Sequence, residues 1–530
     1  MSRARAVGAL GFALPLAVAL LVRAIALGAV PLWLDEANTV LIAWRDPYGV
    51  VSALSRDGNP PLFYWILHAW MAAFGSSEAA VRSLAALFGT LSVAALYGAA
   101  RLLFPERRRV APPAASLAAI GPLHIYYSRE CRMYSLTPLV GVLLLVALHR
   151  ALDTGRPRYW VLHSILLAAG LYTHNYFLFL VPLGPLAALL SSGQRAAFPR
   201  ALASAAAAAA VYAPWVPMLL WQTGSGVSTW IPRLWEATPP AAALLRSLEV
   251  MGVGDTFPFY LGALGLLRET LQVPAVWASL RVFGLVLGVG LLGAGVIAAF
   301  RCAAERAAAT RIALLLVLPL VVPFAASFLV TPIYVVGRYE MIAFPAYALL
   351  AARGVAALLD ARGRLPAVGL VLLWLGGATL CDVTYFRALA RPELGDEKLV
   401  AEWLRDHGRA GDAVILPGYA RGVPEYYFTR WGTVLERLSF PPEVAEHPGW
   451  FDYERAVREA RTTRHEAALL AAEWRRVPAG GHVLFPIVTR DTPPPVVDAL
   501  KDALEKELGP PRLAYRQEPL RSFYVLAFGT

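Results

Sequence analysis

Eleven apolar stretches, each close to the length needed to cross a bilayer, constrain this 530-residue chain more than any other feature. They lie near 6–30, 79–103, 111–127, 133–150, 159–174, 175–192, 201–221, 277–300, 312–331, 341–358 and 365–383. A spanning helix needs about 20 mostly apolar residues, because backbone groups in hydrocarbon must be satisfied within their own segment. The chain is 58% hydrophobic and 16% charged, whereas soluble domains carry about 25% charged residues. The sequence therefore predicts a polytopic α-helical membrane protein of about eleven transmembrane helices.

A formal net charge of +11 would suit a nucleic-acid binder, but its distribution does not. Residues 384–530 hold 20 Lys+Arg and 21 Asp+Glu, leaving 28 basic and 16 acidic residues in 1–383. All 28 are arginines, since the lysines are Lys398, Lys501 and Lys506. The excess thus lies in the apolar part, where basic loops orient helices. One set of connections carries Arg107, Arg108, Arg109, Arg156, Arg158, Arg195, Arg200, Arg301, Arg306, Arg311, Arg353, Arg362 and Arg364. The other is richer in acid, with Asp35, Glu36, Asp46, Asp57, Glu130, Glu236, Glu249, Asp255 and Glu340. Arginine-rich loops stay in the cytoplasm, which puts the N-terminus inside and, after an odd number of spans, the C-terminus outside. The first segment is long for a signal peptide and reads as an uncleaved anchor of an inner-membrane protein.

The chain divides into a transmembrane part, 1–383, and a tail, 384–530. "RPELGDEKLVAEWLRDHGRAGDAVILPGY" predicts a helix followed by an apolar strand, and "HVLFPIV" and "RSFYVLAF" predict further strands. The tail is expected to be a small external α/β domain. The stretch 222–276, broken by Pro, Gly and charge, reads as a long external loop with amphipathic helices. Cys131, Cys302 and Cys381 are too scattered for a disulfide framework or a zinc motif.

Ionisable groups at membrane depth are costly, so they default to functional candidates. Here they recur on the outer side. "PLWLDEANTV" places Asp35 and Glu36 directly after the first span, and "DGNPPLFYWILHAW" restarts an aromatic, amphipathic segment after Pro60-Pro61. "YYSRECRMYSL" supplies Arg129, Glu130, Arg132 and Tyr134, "YTHNYF" supplies His174, and "TPIYVVGRYE" supplies Arg338, Tyr339 and Glu340. Arginine forks match phosphate and an ionised carboxylate can take a proton from a hydroxyl, so the set suits a reaction on a phosphate-bearing lipid. Each group also has a plainer role. Asp35 and Glu36 can cap a helix, Arg129 and Arg132 can anchor a helix end to headgroups, and His174 can be a packed polar residue. The GxGxxG pattern at 288–293 lies inside an apolar span and not in a strand-to-helix phosphate loop, and no HExxH or GxSxG motif is present.

Taken in order, "WLDEANTV", "GNPPLFYWILHAWMAAFGSSEAAVRSLAALFGTLSVAALY", "YYSRECRMYSL", "YTHNYF" and "GRYEMIAFPAYALLAARG" resemble the membrane-embedded GT-C glycosyltransferases. The resemblance is to the family 39-like branch, bacterial relatives of the protein O-mannosyltransferases and the lipid A aminoarabinose transferases. It implies a GT-C-like fold and transfer of a sugar from a polyprenyl-phosphate donor to a hydroxyl of a glycolipid, glycan or protein on the external face. It further implies Asp35 as catalytic base with Glu36 beside it, and Arg132 and Arg338, with Arg129 and Tyr339, at the donor phosphate. Glu130, Tyr134 and His174 are candidates for substrate contact. No Arg-Tyr follows the acid pair as in the aminoarabinose enzymes, and no β-trefoil insertion is present. No cofactor beyond the lipid-linked donor and the surrounding lipids is indicated, and the resemblance leaves a divalent metal open. The rival readings are a transporter or lipid flippase, and a non-catalytic scaffold for envelope assembly.

Overall fold

The protein is described by a computed structural model covering residues 3–224, 230–237, 240–253, 274–360, 364–389, 396–445, 453–475, 482–489, 494–516 and 523–529. All eleven apolar segments are helical over most of their length. Seven helices are long and apolar enough to cross a membrane, among the described residues: Glu78–Leu103, Met133–Thr154, Arg195–Gly224, Gly284–Arg301, Arg306–Leu329, Tyr339–Asp360 and Val368–Arg387. The chain is a multi-pass membrane protein.

The remaining segments are shorter helices, and the reasons are local. The 111–127 stretch breaks at Gly121 into Ala111–Ile120 and Pro122–Tyr127, since Pro122 restarts a helix but cannot continue one. Carbonyls freed by the break are taken by Arg23, fully buried on helix α1 (Arg3–Ala24), which donates to Ala118 O at 3.0 Å and Ala119 O at 3.2 Å. The 175–192 stretch runs as a 3-10 turn, Asn175–Leu180, and then a helix from Leu183 to Leu190. Between α1 and Glu78 lie three short helices: α2 (Leu34–Ala43), α3 (Pro47–Leu54) and α4 (Leu62–Phe74), the last starting directly after Pro60-Pro61. α5 is the long Glu78–Leu103 helix, capped by Ser77 Oγ on Ala80 N. Of the 222–276 stretch, the described part contains helices Trp230–Ala237 and Ala243–Val253, while Asp255 and the segment 254–273 lie outside the described residues.

Several arginines of the orienting loops also pair across helices. Arg353 Nε meets Glu305 Oε2 at 2.7 Å, Arg107 reaches both Glu305 and Asp360, and Arg311 Nη2 meets Asp153 Oδ1 at 2.8 Å.

The tail folds as the strand and helix patterns predict. Helix Asp396–His407 precedes β1 (Ala413–Pro417), followed by β2 (Glu436–Phe440), β3 (Val483–Thr489), β4 (Arg512–Arg516) and β5 (Phe523–Gly529). The sheet order is β2-β1-β3-β5-β4, with β1 parallel to both neighbours and β5 antiparallel to β3 and β4. β1 is buried along its whole length, which is why it reads as an unbroken apolar run rather than an alternating one. Between β1 and β2, helix Gly422–Trp431 packs on α2. The tail and the Asp35-Glu36 pair therefore share one end of the molecule.

Candidate active site

α2 begins where the extended Trp33 lets the chain turn into a helix, and its first turn carries Asp35 and Glu36. Successive helical residues point about 100° apart, so the two carboxylates leave α2 in different directions. Their surroundings differ accordingly.

Glu36 is 1% exposed and its oxygens are fully engaged. Oε1 accepts from Arg82 Nε at 2.8 Å and from Cys131 N at 2.8 Å; Oε2 accepts from Arg82 Nη2 at 2.5 Å and Trp33 N at 3.4 Å. Arg82, on α5, spends its other protons on Leu27 O, Val30 O and Pro31 O. This pair ties α2, α5, the 27–31 turn and the 131 loop together. Glu36, beside Asp35 in sequence, is thus held in a buried ion pair, without the exposure that Asp35 keeps.

Asp35 faces the other way and keeps 27% of its side chain exposed. Its Oδ2 accepts from Arg338 Nη2 at 2.5 Å. Burial pushes its carboxyl up, but the Arg338 and Arg132 guanidiniums outweigh that and hold it below the usual carboxylate range. Asp35 is an ionised, accessible carboxylate.

Arg338 is aimed by its loop. Gly337 adopts φ +74°, a left-handed conformation that favours glycine. Glu340 accepts from Gly337 N, and its Oε2 from Arg338 N at 3.0 Å. Tyr127 Oη donates to Gly337 O and Tyr176 Oη to Ile333 O, both at 2.7 Å. The guanidinium then donates from Nε to Tyr134 Oη at 2.6 Å, and its carbon stands 5.1 Å from the Tyr134 ring centre. Arg132 approaches the same ring at 5.9 Å and donates from Nη1 to Thr39 Oγ1 at 2.8 Å. Thr39 lies one turn beyond Asp35 and donates to its carbonyl. Arg132 Nε is buried without a partner. His174 and Tyr339 complete the wall, with ring centres 4.8 Å apart. His174 Nδ1 accepts from Tyr176 N at 3.1 Å, so that nitrogen is unprotonated.

The structure thus gathers Asp35, Arg132, Tyr134, His174, Arg338 and Tyr339, and turns Glu36, Arg129 and Glu130 to a neighbouring cavity, Glu130 still within electrostatic range of Arg338, Arg132 and Asp35. Arg129 donates to the carbonyls of Val22, Arg23, Ile25 and Ala26, capping the end of α1, and its guanidinium covers the Phe386 ring at 4.8 Å. It lies with Glu36 and Glu130 along a cavity of about 80 Å³, lined also by Trp33, Arg82, Tyr126 and Tyr385. Glu130 is buried there, its Oε2 without a partner, and burial pushes its carboxyl up to about 8 against the pull of Arg338. One buried tyrosine near these groups was not singled out by sequence reasoning. Tyr64 on α4 is fully buried with an unpartnered hydroxyl, in the electrostatic range of Asp57, Arg132, Tyr134 and Asp35. Its only sequence signal was membership of the aromatic run after Pro60-Pro61. Among the described residues no three His, Cys, Asp or Glu side chains gather as a metal site would require.

The architecture is a helical membrane bundle with an acid pair on the short helix that follows α1, and a small sheet domain packed beside that helix. Residues 58–221 match the family model for dolichyl-phosphate-mannose-protein mannosyltransferase. No curated protein matches the sequence. The chain is similar in structure to ArnT from Cupriavidus metallidurans bound to undecaprenyl phosphate, at 15% identity and a TM-score of 0.55, covering 97% of each chain. The apo state of that protein gives the same TM-score and coverage at 14% identity. The Archaeoglobus fulgidus oligosaccharyltransferase is a more distant likeness, 13% identical over 80% of this chain and 62% of that one, with a TM-score of 0.49.

Proposed function

We propose that this protein is a membrane glycosyltransferase that moves a sugar from a polyprenyl-phosphate donor to a hydroxyl acceptor on the external face. The observation that carries the reading is the pairing of one accessible, ionised carboxylate, Asp35, with a guanidinium, Arg338, that a phosphate can engage. Asp35 takes the proton of the acceptor hydroxyl. The acceptor oxygen forms a bond to the anomeric carbon as the bond from that carbon to the phosphate oxygen breaks. The polyprenyl phosphate leaves with the electron pair, and Arg338 and Arg132 stabilise the charge that grows on it. Positively charged donors fixed before the reaction need no reorganisation, and four hydrogen bonds fix the Arg338 loop. The fold shared with a protein solved with undecaprenyl phosphate supports the donor class.

The test is comparative mass spectrometry of envelope glycans and glycolipids from a deletion strain and the same strain carrying the gene. Loss of one glycan or glycolipid modification on deletion, restored by wild type and not by Asp35→Asn, is expected. An unchanged glycan profile, or full restoration by Asp35→Asn, would overturn the reading.

A further inference from the structure

The tail touches the helix that carries Asp35 by two routes. The direct route is helix Gly422–Trp431 lying along α2. Gly422 approaches Asn38 and Leu34 so closely that a Cβ would collide with the Asn38 side chain. At the other end of α2, Trp44 stacks on Tyr426 with ring centres 5.6 Å apart. The indirect route passes through Glu78, the first residue of α5. Glu78 accepts from Tyr427 Oη at 2.9 Å, pairs with Arg430 Nη1 at 2.5 Å, and has Lys398 Nζ at 3.6 Å. Tyr426 Oη donates to Ser76 O at 2.8 Å just before it. One turn along α5 stands Arg82, which grips Glu36, the neighbour of Asp35 in sequence.

α2 is only ten residues long, and helices shorter than about 12 residues are marginal without tertiary support. A general base must hold its carboxylate within hydrogen-bond reach of the acceptor, and a displacement of about 1 Å can cost 100-fold in rate. The tail supports α2 along its length, with Gly422 against Leu34 and Asn38 and Tyr426 against Trp44. We propose that the C-terminal α/β unit is a positioning element for Asp35, with Gly422, Tyr427, Arg430 and Glu78 as positioning residues. This rests on Asp35 being the base. Simple adhesion between the two parts of the chain is the competing role, and it acts on stability and not on rate per folded molecule.

Full-length variants in membranes distinguish the two. Tyr427→Phe with Arg430→Met and Lys398→Met removes the tail's side-chain contacts to Glu78, Gly422→Val wedges the direct route, and Leu500→Ala weakens the tail's own apolar core without touching either. Two quantities are read at matched levels of folded protein. One is the initial rate at which the glycan lost on deletion reappears after induction. The other is amide hydrogen exchange over residues 34–43. Positioning predicts a fall in rate of about 10- to 100-fold and faster exchange in α2 for the first two variants. Arg430→Lys with Tyr427 and Lys398 intact should restore most of the rate, and Leu500→Ala should lower thermal stability with the rate per folded molecule unchanged. Wild-type rate or wild-type exchange in the Tyr427→Phe/Arg430→Met/Lys398→Met protein overturns the proposal, as does an equal loss in Leu500→Ala. If Asp35→Asn abolishes the glycan while the clamp variants do not, the positioning role alone falls. If deletion removes no glycan, the glycosyl-transfer reading falls, and the exchange measurement still decides whether the tail holds α2.

Discussion

Asp35 and Glu36 are neighbours in sequence with the same chemistry, yet one is 27% exposed with a single arginine partner and the other is 1% exposed with every oxygen engaged. The difference comes from their angle on α2, not from residue type. A carboxylate saturated by two arginine bonds and two backbone N–H groups has no lone pair to offer a substrate. Asp35, held by one arginine and with 27% of its side chain exposed, keeps surface that a substrate can reach.

The sharpest way to break that contrast is to neutralise each acid in turn. Asp35→Asn keeps shape and hydrogen bonding but cannot accept a proton, and the rate of sugar transfer should fall by roughly 10²–10⁴-fold with folding intact. Near-normal turnover in that variant ends the catalytic assignment. Arg82→Met acts first on the fold. It leaves Glu36 buried without its cation, at a stability cost of roughly 3–5 kcal/mol, seen as a lower unfolding temperature and poor expression. Because Arg82 also ties α5 to α2, the rate per folded molecule should fall by about 10- to 100-fold, less than in Asp35→Asn. Arg338→Lys keeps the charge but loses the guanidinium fork and its bond to Tyr134. Charge-assisted bonds contribute roughly 1.5–3 kcal/mol, so donor affinity, read as binding of undecaprenyl phosphate, should weaken by about 10- to 100-fold. Unchanged binding would remove Arg338 from the phosphate site.

Tyr64→Phe is a finer test. The hydroxyl has no partner in the described protein, so its removal should leave stability level or slightly higher. If the hydroxyl serves the donor phosphate, affinity should fall by about 2- to 10-fold, the worth of one neutral hydrogen bond. The smallest effect concerns Glu130 on the Glu36 side. Burial pushes its folded carboxyl up to about 8 from the ordinary 4.5, so the folded state binds more protons between those values. Its stabilising contribution is full below about 4.5 and is lost as pH rises through about 8. Glu130→Gln should flatten the decline in unfolding temperature over that window, and an identical slope in wild type and variant would count against it.

Much of this fold could be read from apolar length alone, because hydrocarbon leaves the backbone few choices. The tail's strands were equally legible, since a buried parallel strand such as β1 must be apolar throughout. Asp35, Arg132 and Arg338 were legible as charges stranded at one boundary. Telling Arg132 from Arg129 was not, because the chain turns twice between Tyr127 and Leu136 and sequence spacing does not give the rotation. Arg82 was hidden inside an apolar run, although a charge four residues after Glu78 on one helix face was a usable signal. Tyr64 could not be separated from the aromatic residues around it, because an unpartnered hydroxyl is a property of packing. The docking of Gly422–Trp431 on α2 joins segments almost 400 residues apart, and no local pattern encodes it.

The buried Arg23 at the Gly121 break bears on how the protein is made. α1 enters the bilayer first, carrying a guanidinium whose acceptors, Ala118 O and Ala119 O, are synthesised about a hundred residues later. Arg23 stands in the last turn of α1, where a lone helix can reach its guanidinium out to the interface, below the roughly 2.5–3.5 kcal/mol cost of a helix centre. In the finished bundle the same group is fully buried, so it exchanges water for these carbonyls only when the Ala111–Ile120 helix reaches it. Exchanging Arg23 for leucine should ease the insertion of α1 alone while loosening the finished bundle, separating what the nascent chain prefers from what the mature protein needs.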